Sequence, residues 1–352
     1  DEELYDLYEK LPLQVPSMSE DYGRATKGMA LAVRAHVHML AASPLFNGNQ
    51  MYAGITNADG TPLFPQKYDK EKWKRAADAI KDIFDLGVYS LYKEYNEDGT
   101  IDPFLSYMNI HFATGVNNPE LIFINNNCNY AEADQNMAPH GYGDGNGAYG
   151  ATQNLVDAFP MANGYPITAP GSGYSENDPY AGRDPRLAEY VIYNGATYKD
   201  TQIITGTYST DNNGLGKIST STRTGYYLRK LLRDDCNPNP SATNAQYHYP
   251  VYIRYTEIFL AYAEAANEAF GPTGKGDLGY SAYDVIKAIR SRAGVGAEND
   301  DAYLESIKND KGFCENLIRK SRLKSQLSFL LVDGVVVISG LGTESDTTVS
   351  PL

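Results

Sequence analysis

The sequence predicts a mostly α fold of helix pairs with a long loop-rich region and a few short strands. Three observations predict it. Apolar residues recur at helical spacing in Gly23 to Gly48, Asp69 to Gly87, Ile253 to Gly271 and Ser281 to Gly294. The tract from Asn125 to Tyr180 is crowded with glycine, asparagine and tyrosine, and cannot hold continuous regular structure. Strand-like apolar runs are short, as at Leu121 to Ile124, Tyr190 to Tyr193 and Tyr226 to Leu232.

In the first helical segment, Met29, Val33, Val37, Leu40 and Ala41 line one face at three- and four-residue steps. Ala25, Gly28, Ala30, Ala32, Ala35, Ala41 and Ala42 leave little bulk elsewhere, so a neighbouring helix can approach closely. Ser43-Pro44 ends the helix, because proline disfavours helical backbone in the residue before it. A polar loop from Asn47 to Gln66 leads to a second helix with a Trp73, Ala77, Ile80 and Phe84 stripe. Asp69 caps its start, Glu71 suits the helix dipole, and Gly87 follows its end. Trp73 on that stripe reads as core.

Beyond the loop tract, Tyr255, Ile258, Phe259, Tyr262 and Ala266 share one helical face. After a Gly/Pro turn, Ala282, Val285, Ile286 and Ile289 line the next helix. The two read as an antiparallel pair of the tetratricopeptide-like kind, and Gly23–Ser43 with Lys70–Leu86 as a second such unit.

Composition excludes several functions. Acidic residues outnumber basic ones, 44 to 30, a net charge of -14 that argues against nucleic-acid binding through a basic face. No apolar run reaches the roughly 18 residues of a membrane span. Cys128, Cys236 and Cys314 lack metal or disulfide spacing, so no metal site and no cofactor is expected. GYGDGNGAYG, Gly141 to Gly150, lacks the Lys-Ser/Thr ending of a phosphate-cradling loop. Asp178 and Asp184 are the tempting carboxylate pair for glycoside hydrolysis, with Asp157 nearby. Each of the pair precedes a proline, and Arg183 and Arg186 stand beside Asp184, so turn capping and ion pairing explain them better. No catalytic residue is assigned.

The loop tract instead offers what a sugar binder needs. Aromatic faces stack on the apolar faces of pyranose rings, and polar groups take the hydroxyls. Asn125, Asn126, Asn127, Asn129 and Asp144 supply hydrogen bonds, while Tyr130, Tyr142, Tyr149 and Tyr174 supply rings. Tyr142 and Tyr149 sit among glycines, with little else to hold them in a core. The ligand-binding candidates are Asn127, Tyr130, Tyr142, Asp144, Tyr149 and Tyr174.

Six strings in order then resemble one family. They are ATKGMALAVRAHVHMLAASPLFNG, TQNLVDAFPMANGYPI (Thr152 to Ile167), DPYAGRDPRL (Asp178 to Leu187), TGYYLRKLL (Thr224 to Leu232), IRYTEIFLAYAEAANE (Ile253 to Glu268) and AIRSRAG (Ala288 to Gly294). Together they resemble the SusD/RagB family of nutrient-binding outer-membrane lipoproteins of Bacteroidetes-type bacteria. The resemblance implies a SusD-like fold over residues 1–320, an α-α superhelix of tetratricopeptide-like helix pairs that is helical to 115, loop-rich over 116–248 and a helical pair over 249–300. It implies a non-enzymatic oligosaccharide or nutrient binder on the extracellular face of the outer membrane. It further implies a SusC-like TonB-dependent transporter as partner, polysaccharide utilisation as the setting, and an N-terminal lipid anchor not present in this chain. The alternatives are a helical-repeat scaffold for a protein partner and, third, a glycoside hydrolase.

Two departures from the family stand out. The lipoprotein signal and added helices expected before the first residue are missing. After Arg319 the chain lacks the expected "IELAFEG-R--DLRRW" type segment, and residues 321–352 form an atypical tail. Back-translated and read from the third base of each codon, Ser321 to Glu344 permits Ile-Glu-Ile-Ala and then Asp-Leu-Arg-x-Trp. The tail therefore reads as a frameshifted translation, with a strand pair around Asp333-Gly334.

Overall fold

The computed structural model describes residues 2–15, 21–113, 117–125, 131–142, 144–219, 221–245, 250–325, 330–332 and 335–337. The described helices are α1 (Glu2–Tyr8), α2 (Lys27–Ala42), α3 (Glu71–Asp85), α4 (Pro103–Asn109), α5 (Ala131–Met137) and α6 (Gln153–Ala158). They continue with α7 (Pro185–Tyr190), α8 (Tyr255–Phe270), α9 (Ala282–Arg292), α10 (Ala302–Ile307) and α11 (Lys311–Ser325). The strands are short: β1 (Glu94–Tyr95), β2 (Ile101–Asp102), β3 (Leu121–Ile124), β4 (Val191–Ile192) and β5 (Thr197–Tyr198). β6 (Thr201–Gln202), β7 (Tyr227–Leu228), β8 (Val251–Arg254), β9 (Leu330–Val332) and β10 (Val335–Val337) complete them. All pair antiparallel in two-stranded ribbons: β1 with β2, β3 with β8, β4 with β7, β5 with β6, and β9 with β10. The mostly α architecture expected from the sequence is present, with a strand pair in the tail.

Thr26 caps α2, its hydroxyl accepting from the Met29 amide at 3.3 Å, and Ser43 closes the helix. The buried face of α2 is not the expected one. Leu31, Ala32, Ala35, Met39 and Ala42 are buried, whereas Val37 is 50% and Leu40 45% exposed. The small residues themselves form the contact, since they let α3 come close enough to bury Trp73, Ala76, Ala77, Ile80 and Ile83. Close approach also fixes Gly28, where a Cβ would lie 2.0 Å from the Tyr89 hydroxyl oxygen. Lys70 holds the cap position of α3, and Asp69 beside it still accepts from the Glu71 amide at 2.9 Å.

α8 is buried almost all round, with Ile258, Leu260, Tyr262, Ala263, Ala265 and Ala266 inside. It packs against α3, α9 and α11. Ser281 and Asp284 form a reciprocal capping box at the start of α9, worth about 1 kcal/mol. These helices enclose one hydrophobic core. A second core lies under the loop-rich region, built from Leu155, Val156, Phe159, Leu187, Tyr190 and Tyr227 among others.

Buried arginines join the two cores. Arg292 at the end of α9 donates Nη1 to Glu120 Oε1 and Nη2 to Thr256 Oγ1 at 3.1 Å. Thr256 Oγ1 in turn donates to Glu120 Oε2 at 2.5 Å. Burial alone would push the Glu120 carboxyl up, but the Arg292 and Arg254 guanidiniums outweigh it and hold it below its ordinary value. Arg290 pairs with Asp301 and donates to the Gly164 carbonyl oxygen at 2.9 Å. The AIRSRAG string thus fastens the helical half to the loop region through both of its arginines.

Candidate functional site

The loop tract is folded onto the second core rather than free. Tyr142 and Tyr149 pack against that core while half-buried, contrary to the expectation that glycine neighbours leave them nothing to pack on. Burial pushes the Tyr142 hydroxyl up, helped by the nearby negative charge of Asp211. The Tyr149 hydroxyl accepts from Asn136 Nδ2 at 3.4 Å, and Asn136 Oδ1 accepts from Asn146 Nδ2 at 3.1 Å. Asp144 adopts a left-handed backbone, φ 58°, and its carboxylate accepts from Asn239 Nδ2 at 3.1 Å and Asn237 Nδ2 at 3.4 Å. It ties two loops together. Asn126, Asn127, Asn129 and Tyr130 lie outside the described residues.

A tyrosine cluster lies over the same core. Tyr180 stacks on Tyr193 with ring centroids 4.1 Å apart and planes 16° from parallel. Tyr226 meets Tyr180 edge-on at 6.5 Å. The hydroxyls run in one direction: Tyr180 donates to Tyr226 at 3.3 Å, Tyr226 to Gln153 Oε1 at 2.8 Å, and Gln153 Nε2 to Asp157 at 2.7 Å. Burial, then the hydrogen bond to Tyr226, pushes the Tyr180 hydroxyl up, so it remains a neutral donor. Gln153 and Asp157 are exposed, on the first and last turns of α6.

Arg183 holds this cluster in place. Its Nη2 donates to the carbonyls of Val156 at 2.7 Å and Phe159 at 2.9 Å, satisfying the carboxyl end of α6. Its Nη1 donates to the Pro179 carbonyl at 2.8 Å, next to Tyr180, and its guanidinium lies 5.6 Å from the Tyr174 ring centroid. Tyr174, one of the expected residues, is thereby tied to the cluster. Tyr208 is 69% exposed, yet oriented: its hydroxyl accepts from Asn194 Nδ2 at 2.8 Å. Asn194 Oδ1 accepts the amides of Thr205 and Gly206 at 3.0 and 3.1 Å, fixing the Tyr208 loop.

Sequence reasoning missed Tyr180, Tyr193, Tyr226 and Tyr208. Tyr180 stands in the DPYAGRDPRL string already singled out. Tyr208 follows Gly206 in TGTYSTDNNG, the same surroundings that drew attention to Tyr142.

The turn reading holds for the Asp184 carboxylate, whereas at Asp178 the turn is closed by the backbone amide and not by the carboxylate. Asp184 is buried, caps α7 through the Arg186 amide at 3.0 Å, and takes Arg186 Nε and Nη2 at 2.9 and 2.6 Å. Asp178 is exposed in a turn closed by its own amide on the Ser175 carbonyl at 3.2 Å. Arg183 departs from that expectation, because its described hydrogen bonds go to carbonyl oxygens. Among the described residues, no helix is long and apolar enough to cross a membrane.

A model of the SusD family matches residues 114–323. Among solved structures, one designated BT4246 superposes with a TM-score of 0.65 at 22% identity, covering 91% of this chain and 64% of its own. A SusD-like protein from Bacteroides fragilis NCTC 9343 gives 0.57 at 22%, covering 92% and 59%. A SusD-like carbohydrate binding protein from the same organism gives 0.56 at 21%, covering 93% and 57%. The chain thus spans less than two thirds of the length of each. A comparison with curated proteins finds no match.

Proposed function

This chain belongs to the SusD family, and from that premise we propose that it is a non-enzymatic, cell-surface binder of an oligosaccharide. The glycan docks on the tyrosine cluster of Tyr174, Tyr180 and Tyr193 and on Tyr208, whose hydroxyl is held by Asn194, the neighbour of Tyr193. Gln153, Asp157 and the Asn136–Asn146 loop take its hydroxyls. Tyr142, Tyr149 and Asp144 shape the rim, and Asn127 and Tyr130, from the same tract of sequence, are further ligand contacts. Bound ligand then passes to a SusC-like TonB-dependent transporter in the outer membrane, where a lipid anchor holds the binder at the extracellular face. The transporter and the anchor rest on family membership alone.

The observation that carries the binding site is Tyr208. An aromatic ring that is 69% exposed, and held by a hydrogen bond at its far end, presents a fixed apolar face to solvent. The test is a glycan array followed by calorimetric titration of the best hit. Binding without release of reducing sugar, weakened at least tenfold by Tyr208→Ala, is the expected result. Turnover that disappears in Asp178→Asn, or binding indifferent to every tyrosine of the cluster, overturns it.

A further inference from the structure

The helical half holds a cleft that the tyrosine cluster does not line. It measures about 450 Å³ and lies between the 90–95 segment and the first turns of α8. That volume falls within the roughly 300–1,000 Å³ of small-ligand sites. Ser90, Tyr92, Lys93, Tyr95, Tyr255 and Phe259 line it, among others. We propose that this cleft is a second carbohydrate site, taking a pyranose ring against its aromatic wall.

The wall is rigid. Tyr255 and Phe259 stack one helical turn apart, centroids 5.5 Å and planes 19° apart, and Phe84 braces Phe259 edge-on at 5.7 Å. The Tyr255 amide donates to the Glu120 carbonyl at 2.8 Å, and the Tyr92 amide to Glu120 Oε1 at 2.9 Å. The buried Arg292–Glu120 pair therefore fixes both sides of the cleft. Tyr95 stands on β1, whose pairing with β2 sets its direction, and is 59% exposed.

The rim is polar and available. Among the described residues, Lys93 has no ion-pair partner and the Ser90 and Asn117 side chains make no hydrogen bond. The adjacent carboxylate does not occupy Lys93, because Glu94 accepts from the Tyr92 hydroxyl and from Asn109 Nδ2 at 3.1 Å. In a chain with 44 acidic and 30 basic residues, an unpaired lysine lining the same cleft as aromatic rings is available to a ligand. The exposed Tyr95 ring and the free donors match the two kinds of surface on a pyranose, while Phe259, buried in the core, backs the cleft from behind.

The experiment separates the two sites. A Tyr174→Ala/Tyr208→Ala variant disables the loop cluster, and Tyr95→Ala and Lys93→Ala each disable the cleft. These are exposed or half-exposed positions, so folding is verified by an unchanged melting curve. All are run on one array of neutral and acidic oligosaccharides. Residual binding in the loop variant that drops at least fivefold on adding Tyr95→Ala or Lys93→Ala is expected. No residual binding in the loop variant, or residual binding untouched by both cleft changes, overturns the second site. Full binding in the loop variant refutes the tyrosine-cluster reading, and it then supports the cleft if Tyr95→Ala or Lys93→Ala lowers that binding at least fivefold and overturns the cleft if neither does.

Discussion

Arg290 donates Nη2 to the carbonyl oxygen of Gly164 at 2.9 Å, across 126 residues of sequence. The same guanidinium grips Asp301 through Nε at 2.5 Å and Nη2 at 2.6 Å. Gly164 has φ 94°, and a Cβ there would lie 2.7 Å from Arg290 Nη2 and 2.7 Å from Asp301 Oδ1. The turn that leads from α6 toward Tyr174 is thus pinned to the last turn of α9. A glycine and an arginine outside the tyrosine cluster hold the turn that leads to Tyr174.

Removing one member of such a buried pair leaves the other charge uncompensated. Arg290→Met should cost about 3–5 kcal/mol, because Asp301 is left inside without its partner. Gly164→Ala should cost about 1–3 kcal/mol from strained backbone, with more from the clash. Urea unfolding measures both. A loss below about 0.5 kcal/mol in either variant, the size of an ordinary surface change, contradicts this account.

The tyrosines should separate into two kinds. Tyr208→Ala removes an exposed ring and should change stability by less than about 0.5 kcal/mol while weakening glycan binding at least tenfold. Tyr193→Ala also removes the stack on Tyr180 and should cost a further 0.5–1.5 kcal/mol, roughly the worth of an aromatic pair. Melting curves and titrations on both variants check the split. Equal destabilisation by the two contradicts the assignment of Tyr208 as a solvent-facing ring.

Which parts of this were legible depended on whether the determining contact was local. Trp73, the α9 stripe and the stop at Ser43-Pro44 follow from spacing and backbone rules, and all stand in the structure. The α2 face departs from its apolar spacing because bulk does not mark the buried side. Val37 and Leu40 are larger than Ala32 and Ala35, yet distance of approach to α3 decided the matter. The Tyr180–Tyr193 stack joins side chains 13 positions apart, and no periodicity records such a meeting. The six family strings were legible as strings, but the role of their arginines appears only once Glu120, Gly164 and Asp301 are brought together.

Glu189 should make stability fall with rising pH. It is buried, its Oε1 has no hydrogen-bond partner among the described residues, and burial pushes its carboxyl from 4.5 up to about 8. A carboxyl with a folded pKa above its unfolded one binds its proton more tightly when folded. Its contribution is therefore complete below about pH 4.5 and is lost as pH rises through about 8. Glu189→Gln should remove that slope, so the variant gains on the wild type between those limits. Parallel stability profiles for the two proteins would show that the proton on Glu189 is not the cause.

The end of the chain divides within α11. Cys314, Leu317, Ile318 and Ser321 are buried, and the Lys311 carbonyl accepts from Asn267 Nδ2 at 3.3 Å, so this helix covers α8. The family match stops at residue 323, and the frameshift reading starts at Ser321. The shifted-frame reading predicts that deleting residues 326–352 leaves melting and glycan binding unchanged. Deleting residues 311–352 should cost about 3–6 kcal/mol, the transfer of two buried aliphatic side chains to water. Sequencing the encoding DNA gives the independent check, with Asp-Leu-Arg-x-Trp expected in the frame read from each third base. Early stop codons in that frame, or loss of binding in the shorter deletion, would show instead that the tail belongs to the protein as it stands.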